Sequence, residues 1–543
     1  MDGEETPQTL HALLDMVEAR YGEAMAVQWA GGSVSYRQMA QESAALAKGL
    51  LAAGVGKGSR VAVLAGNSWF WIRAFFACAQ VGAVMAPPST LATPLELGHI
   101  LRHSDAQLLL AARRYVGRDY GEIIARALPA LAKAKDPRAL RLVEAPYLRS
   151  VWLDDAQGLP WAGAVDDLVA RGAADPALDG AFLDEIKSEV TPADDAVVIY
   201  TSGSTALPKA VIHTHGPMVR QVIGHLADAQ VATPGERVLC VMPLFWVGGM
   251  TMMLNTFVKG GCIVLPDGVS PRAIADALRD LGADVCHGWM PQRKAIRDFL
   301  DAEGWDYSNV RGLRDERLAD GTLRPRELAP NSLGMTETFG PHGIMPVGAV
   351  LPAHRAGAFA PVDGGFERRV VDPETGEILP TGQTGELQVR GGSLMRGYYK
   401  RERAEAFTPD GFYPTSDIVR IEPDGYMYFT GRMGDMLKTK GANVSRLEVE
   451  EALRKIPGVA EAVVCGLPDP ELGQLVVAAV VPQPGEAPTE AGLKAALREH
   501  LAGYKIPGHI VFIDQGELPW TASGKIRVPE VGKLIAQRLG LPA

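Results

Sequence analysis

Cysteine is scarce in this chain of 543 residues: Cys78, Cys240, Cys262, Cys286 and Cys465 are scattered, odd in number and form no C-x-x-C pair. That usage speaks against a disulfide framework or a cysteine-held metal cluster, and it fits a reducing cytoplasm. The five are expected as small buried apolar residues. Basic charge is also lacking. The formal net charge is −10, which disfavours non-specific binding to nucleic acid. Long hydrophobic runs are missing too. The most apolar stretch, Phe75 to Pro88, carries Gln80 and Gly82, whereas a membrane span needs about 20 apolar residues. The first residues, MDGEETPQTL, are acidic and polar, unlike a signal or transit peptide, and the last, GLPA, match no common address signal. What remains is the composition of an ordinary soluble globular protein, 47% hydrophobic and 22% charged, in a chain too long for a single core.

The chain alternates strand and helix signals. Residues 36–53 read as an amphipathic helix ending at Gly54, VAVLAG (61–66) as a buried strand, WFWIRAFFACAQVGA as a helix and LLLAA (108–112) as another short apolar run. AVVIY (196–200), RVLCVMP (237–243) and GGCIVLP (260–266) resume the pattern, each with a helical stretch expected after it. This predicts α/β layers with parallel strands. From about 358 to 431, short alternating segments between Gly, Pro and Asp turns predict a twisted antiparallel β region. Beyond Gly431 a polar turn, a helix over 446–455, two strands and the amphipathic TEAGLKAALREHL predict a small α+β domain. Its boundary falls at 431–435, with Gly434 and Asp435 suited to a hinge.

The most informative segment is YTSGSTALPKAVIHTHG (200–216). Thr201, Ser202, Gly203, Ser204 and Thr205 follow a buried strand, and Lys209 follows Pro208. Small hydroxyl side chains and a glycine let backbone N–H groups wrap phosphate oxygens, and a lysine adds a mobile point charge. Alone, such a cluster is ordinarily just a loop; with the strand before it and the lysine after it, phosphate binding is the better reading. It is not the loop of the common nucleotide hydrolases, G-x-x-x-x-G-K followed by Ser or Thr, because Ala210 follows the lysine here.

The segment resembles the phosphate-loop signature of the adenylate-forming superfamily, which includes acyl-CoA synthetases, peptide-synthetase adenylation domains and beetle luciferases. Two family glycines are Ala206 and Ala210 here. Further motifs follow in the family order over nearly the whole chain. SLGMTETFG (332–340) is similar to the family's YGMTE segment, with Thr336 implied near the α-phosphate and Glu337 on a magnesium ion. A carboxylate is the hard oxygen ligand Mg²⁺ favours. Leu333 replaces the tyrosine that stacks on adenine, with Gly334 and Met335 beside it, so the resemblance leaves adenine an aliphatic surface. The preceding VRGLRDERLADGTLRPRELAPN is several residues shorter than the family's strand, glycine-rich turn and helix. YPTSD (413–417) implies Asp417 on the ribose hydroxyls, with Ser416 in place of a glycine. GRMGDMLKTKGANVSRLEVEEAL (431–453) implies Arg432 on the ribose, and Lys438, Lys440 and Gly441 on a face that serves thiolation. Glu448 and Glu450 read as the solvated face of the next helix. LPWTASGKIRV (518–528) implies Lys525 as the catalytic lysine of adenylation. A cation there stabilises charge spread over carboxylate and phosphate.

The resemblance implies an N-terminal AMP-binding domain over 1–431 with layered α/β subdomains and a distorted β-barrel, a hinge at 432–435, and a mobile C-terminal α+β domain over 436–543. It implies a carboxylic acid, ATP with Mg²⁺, and coenzyme A as substrates and cofactors. It leaves a homodimer open. PLFWVGG (243–249) is similar to the family's segment beside the acyl pocket, with Trp246 in place of a histidine and Gly248 and Gly249 leaving space; His215 matches a position near that pocket and His213 reads as structural. No charged residue there reads a polar substrate, so an apolar acid, fatty or aryl/alicyclic, is expected. A ligase that loads a carrier protein, a luciferase-like oxidase and a non-catalytic binding homologue are the other readings. The absence of a carrier-type serine motif weighs against a peptide-synthetase unit and leaves a free-standing ligase that loads a separate carrier protein open, and the intact Lys209, Glu337, Asp417, Arg432 and Lys525 weigh against the non-catalytic homologue.

Overall fold

The computed structural model describes residues 6–134, 136–201, 208–226, 232–288, 290–318, 320–325, 328–329, 331–345, 349–361, 365–373, 375–433, 436–519 and 526–541. Ser202, Gly203, Ser204, Thr205, Gly434, Asp435 and Lys525, singled out from the sequence, lie outside the described residues.

Two sheets form the body of the large N-terminal part. The wider has eight strands in the order Gly397–Tyr398, Lys209–Thr214, Asp195–Thr201, Val84–Ala86, Arg60–Leu64, Leu108–Ala111, Ser150–Leu153 and Gly163–Ala164. The second has five, Val285–His287, Arg237–Cys240, Cys262–Leu265, Met25–Trp29 and Gly32–Ser35. Most neighbours are parallel, as the buried apolar runs predict. Helices Tyr36–Ala52 and Trp69–Gln80 cover them, and one continuous core runs through Trp71, Phe75, Phe76 and Phe257. Each helix starts on a polar cap: the Ser35 hydroxyl accepts from Gln38 N–H and the Ser68 hydroxyl from Trp71 N–H.

One expectation needs correction. AVVIY is not followed by a helix. Its strand, Asp195–Thr201, turns back as an antiparallel hairpin into Lys209–Thr214. A short apolar run carries no information about the direction of its neighbour. The antiparallel β region holds, among the described residues, a four-stranded sheet: Phe366–Val371, Thr384–Gly391, Tyr413–Ile421 and Met427–Arg432. Between Ala302 and Leu333 the described residues hold no named helix or strand beyond isolated bridges such as Arg317 to Leu323.

A last sheet begins at Met436. It pairs Met436–Thr439, Ala442–Ser445, Val459–Asp469, Gly473–Pro482 and His509–Phe512, and carries helices Arg446–Arg454, Glu490–Arg498 and Val528–Leu539. Its two faces bury their own clusters, one around Val444, Val449 and Leu497, the other around Val477, Val531 and Ile535. All five cysteines are free and buried, and burial pushes every thiol up to about 12. No described helix is long and apolar enough to cross a membrane.

Candidate active site

The hairpin that carries the hydroxyl-rich segment fixes its two ends. Thr201 and Lys209 are direct cross-strand partners. Lys209 extends over the Tyr398 ring, with Nζ 5.2 Å from the ring centre. Burial lowers its pKa, opposed by the nearby Glu337 carboxylate. The stretch Leu333–Met335 runs antiparallel to Gly340–Gly343, and a tight turn over Thr336–Thr338 projects Glu337 inward. Tyr398 donates its hydroxyl to Glu337 Oε1 at 2.8 Å, and Tyr413 joins the same hydroxyl at 2.9 Å. Glu337 Oε2 has no donor among the described residues.

The turn is held from below by His213. Its Nε2 donates to the Thr336 carbonyl at 2.7 Å, and its ring meets Phe339 edge-on at 5.0 Å. Full burial drives this histidine down to about 4, so at neutral pH it is an uncharged donor. Its contacts are those of a support for the turn.

Asp417 and Arg432 are partners across the ladder between Tyr413–Ile421 and Met427–Arg432. Arg432 Nε donates to Asp417 Oδ1 at 2.6 Å, leaving Oδ2 without a hydrogen bond among the described residues. Ser416, just before Asp417, has φ of 61°, the left-handed conformation in which glycine is at ease. The serine that stands here in place of a glycine is thus carried with backbone strain.

A cavity of about 160 Å³ joins these parts. Thr201, Pro208 and Thr336 line one side, Phe245, Trp246 and Gly248 another. Gly441 and Ala442 of the last sheet close it. Lys440 and Gly441 have φ of 50° and 79° and join strands paired at Thr439 and Ala442, which makes a two-residue hairpin turn of the mirror type. The sequence KG serves that turn, and its tip enters the cavity. Lys438 stands further along the same strand, its backbone N–H on Gln474 Oε1 at 2.6 Å.

Several residues lie elsewhere than the sequence predicts. His215 does not line the cavity; it is buried beneath the first helix and accepts from Leu10 N–H through Nδ1 at 3.2 Å. Gly249 opens no space, because a Cβ there would lie 2.2 Å from the Pro243 carbonyl oxygen. Leu333 is packed in the apolar cluster with Val211, Val389 and Met395, so it offers adenine little surface. Gly334 is needed for closeness, since a Cβ would meet the Gly340 carbonyl oxygen at 2.4 Å. Met335 packs on the edge of the same cluster. Glu448 and Glu450 are buried, not solvated: Glu448 binds Lys505, and Glu450 binds Arg446 and the Val464 N–H. Sequence reasoning passes over Tyr398. It lies 61 positions from Glu337, and only its place beside Lys209–Thr214 in the sheet brings the two together.

A family model described as AMP-binding enzyme matches residues 14–399, and one described as AMP-binding enzyme C-terminal domain matches residues 448–525. A feruloyl-CoA synthase of Amycolatopsis sp is 32% identical over 521 residues, covering 94% of this chain and 95% of that protein. The putative acyl-CoA synthetase YngI of Bacillus subtilis is 29% identical over 546 residues, 96% of this chain and 95% of that one. Among solved structures, the amide bond synthetase McbA from Marinactinospora thermotolerans superposes with a TM-score of 0.78 at 23% identity, covering 96% of this chain and 99% of that one. An o-succinylbenzoate CoA synthetase from Bacillus subtilis gives 0.71 at 21% identity, covering 96% and 98%. The structural likenesses establish the fold.

Proposed function

The chain belongs to the AMP-binding enzyme family as an AMP-forming acid–thiol ligase of the acyl-CoA synthetase type, and from that premise we propose that it activates an apolar carboxylic acid, fatty or aryl/alicyclic, as an acyl-AMP and then passes the acyl group to the thiol of coenzyme A. The observation that carries this reading is the shared cavity. It brings the phosphate-side residues Thr201 and Thr336 against the apolar wall of Phe245 and Trp246, with the Gly441 turn beside both.

In the first step the carboxylate attacks the α-phosphate of ATP and pyrophosphate leaves. The bond made is carboxylate oxygen to phosphorus, and the bond broken is that from α-phosphorus to the bridging oxygen. No side chain need give or take a proton, so catalysis lies in placement and charge. Lys209 supplies a half-buried cation, where a charge acts more strongly than in bulk water. Asp417 offers Oδ2, which has no hydrogen bond among the described residues, to the ribose hydroxyls, and Arg432 holds that carboxylate in place. Lys525 is assigned the cation at the attacking carboxylate.

ATP arrives with magnesium, and Glu337 fits that role: its carboxylate is buried, Oε1 is pinned by Tyr398 and Oε2 is unclaimed among the described residues. Magnesium takes one or two protein carboxylates and fills its remaining places with phosphate and water oxygens, and it neutralises charge between the phosphates. In the second step the thiolate sulfur of coenzyme A bonds to the acyl carbon and AMP departs. The Lys440–Gly441 turn, standing beside Thr336, is assigned to that step.

Trp246 lines the cavity with Phe245 and Val247, and the two charged side chains among its lining, Glu96 and Lys505, are paired with each other. Such a wall suits an aromatic or short aliphatic acid, and the similarity to feruloyl-CoA synthases supports the aryl choice. The test is pyrophosphate release with ATP and Mg²⁺ over a panel of carboxylic acids, with and without coenzyme A, on wild type and Lys525→Ala. Release should depend on an apolar acid, rise with coenzyme A and drop at least a hundredfold in the variant, in line with the loss of one transition-state charge contact, about 10²–10³. Acid-dependent release indifferent to coenzyme A would transfer the acceptor role to a carrier protein. No release with any acid would overturn the reading.

A further inference from the structure

Lys505 is a buried lysine with two carboxylates from different parts of the chain. Its Nζ donates to Glu448 Oε1 at 2.7 Å and to Glu96 Oε1 at 2.9 Å, and only 4% of the residue is exposed. Glu448 sits on helix Arg446–Arg454 of the last sheet's own unit, and Lys505 ends the short helical turn Gly503–Lys505 of the same unit. Glu96 sits on helix Pro94–His103 of the large N-terminal part. The contact therefore crosses between the two units, 409 positions apart in sequence.

Glu96 is not a loose surface acid that happens to reach a lysine. Its other oxygen, Oε2, accepts from the Thr93 N–H at 2.8 Å, and the Thr93 hydroxyl accepts from the Glu96 N–H. This reciprocal cap fixes the carboxylate at the start of its helix. Oε1 is left to face the other unit. A lysine buried to this degree is costly to leave unpaired, and Glu448 keeps it paired within its own unit. Ala502 and Tyr504, beside Lys505, line the same cavity as the Gly441 turn. The place of Lys505 and the place of the turn are therefore set together.

We propose that Glu96 and Lys505 are positioning residues for the second half-reaction: their ion pair holds the C-terminal unit in the orientation that sets the Lys440–Gly441 turn against Thr336 and Trp246. The proposal rests on the two-step ligase reading given above. When the C-terminal unit turns away, Glu448 travels with Lys505, because both belong to that unit. Glu96 stays behind. The Glu96–Lys505 contact is thus the half that forms and breaks, and weakening it disfavours this orientation alone.

The test uses Glu96→Gln, which keeps an amide oxygen for the Thr93 cap, Lys505→Met, which keeps the apolar stem, and the double variant. Two rates are read: acid-dependent exchange of pyrophosphate into ATP, and single-turnover transfer from preformed acyl-AMP to coenzyme A. Each single variant should slow transfer about tenfold or more, within the range of ordinary coupling between sites, with exchange changed less than about twofold. The double variant should be no slower than the worse single one, as for two residues in one contact. A third reading needs no activity. The native cysteines are buried, so Asp167→Cys and Ala495→Cys, on exposed positions of the two units, accept a donor and acceptor dye. Energy transfer should report a smaller population of the present orientation in each variant. Equal losses in both half-reactions, no loss in either, multiplying effects in the double variant, or unchanged energy transfer would each overturn the proposal. If wild type forms no acyl-AMP, the ligase reading fails by itself, and the energy-transfer shift still decides the ion pair.

Discussion

Tyr398 shows how a single hydroxyl sets a site's charge. It spends its proton on Glu337 Oε1 and shares a second bond with Tyr413, so Glu337 has one oxygen fixed and one without a donor among the described residues. Tyr398→Phe leaves a buried carboxylate oxygen without its donor, a loss of about 1–3 kcal/mol. We expect the half-saturating Mg²⁺ concentration for pyrophosphate release to rise roughly tenfold while the preference among acids stays unchanged; titration with Mg²⁺ checks this. His213 gives a pH effect of known sign. Its folded value is about 4 against an ordinary 6.5, so the unfolded chain binds more protons between those values. Stability is therefore full above about 6.5 and falls as pH drops toward about 4, by on the order of 3 kcal/mol from this group. His213→Gln, which keeps an N–H donor, should flatten the fall of melting temperature over that window. These residues also mark the limit of the sequence. Thr336 and Glu337 are legible because they are adjacent within a recognisable segment. Tyr398 and His213 reach them only through the sheet, and no local pattern announces such a meeting.

At the scale of elements, apolar runs and turn residues point to most helices and strands but not to their pairing. The helix expected over 36–53 runs over Tyr36–Ala52, whereas the hairpin after AVVIY escapes notice because the run is short and its loop is polar. Glu448 and Glu450 read as solvated because charged residues on a helix usually are. Arg446 and Lys505 reverse that by pairing with them in the interior. Two turns give predictions. Ser416 sits at φ of 61°, which costs about 1 kcal/mol for a residue with a Cβ. Ser416→Gly should raise the denaturation midpoint modestly and leave the affinity for ATP intact, as measured by chemical unfolding and nucleotide titration. Gly441 at φ of 79° is the reverse case. Gly441→Ala strains the turn by about 1 kcal/mol and should slow acyl transfer to coenzyme A more than pyrophosphate exchange.

For the molecule as a whole, the last sheet has cores of its own, separate from the large one. Two cores joined by few contacts seldom melt as one. Calorimetry should resolve two unfolding transitions. The Glu96→Gln variant should lower the one assigned to the C-terminal unit and leave the other in place; a single unaltered transition would count against this. The change of character along the chain near Gly431 is enough to suggest a separate last unit. The meeting of Glu96 with Lys505 is not readable in the same way, because nothing in two segments 409 positions apart says which orientation of the units brings them together.

The five sequestered cysteines bear on the company such a ligase keeps. A protein that handles a free thiol substrate meets that substrate's disulfide as well, and a reactive surface cysteine would be capped by it. With every thiol buried and held near 12, the thiolate needed for exchange is scarce on this chain. The molecule can pass acyl groups to sulfur, turnover after turnover, without lending any sulfur of its own to the traffic.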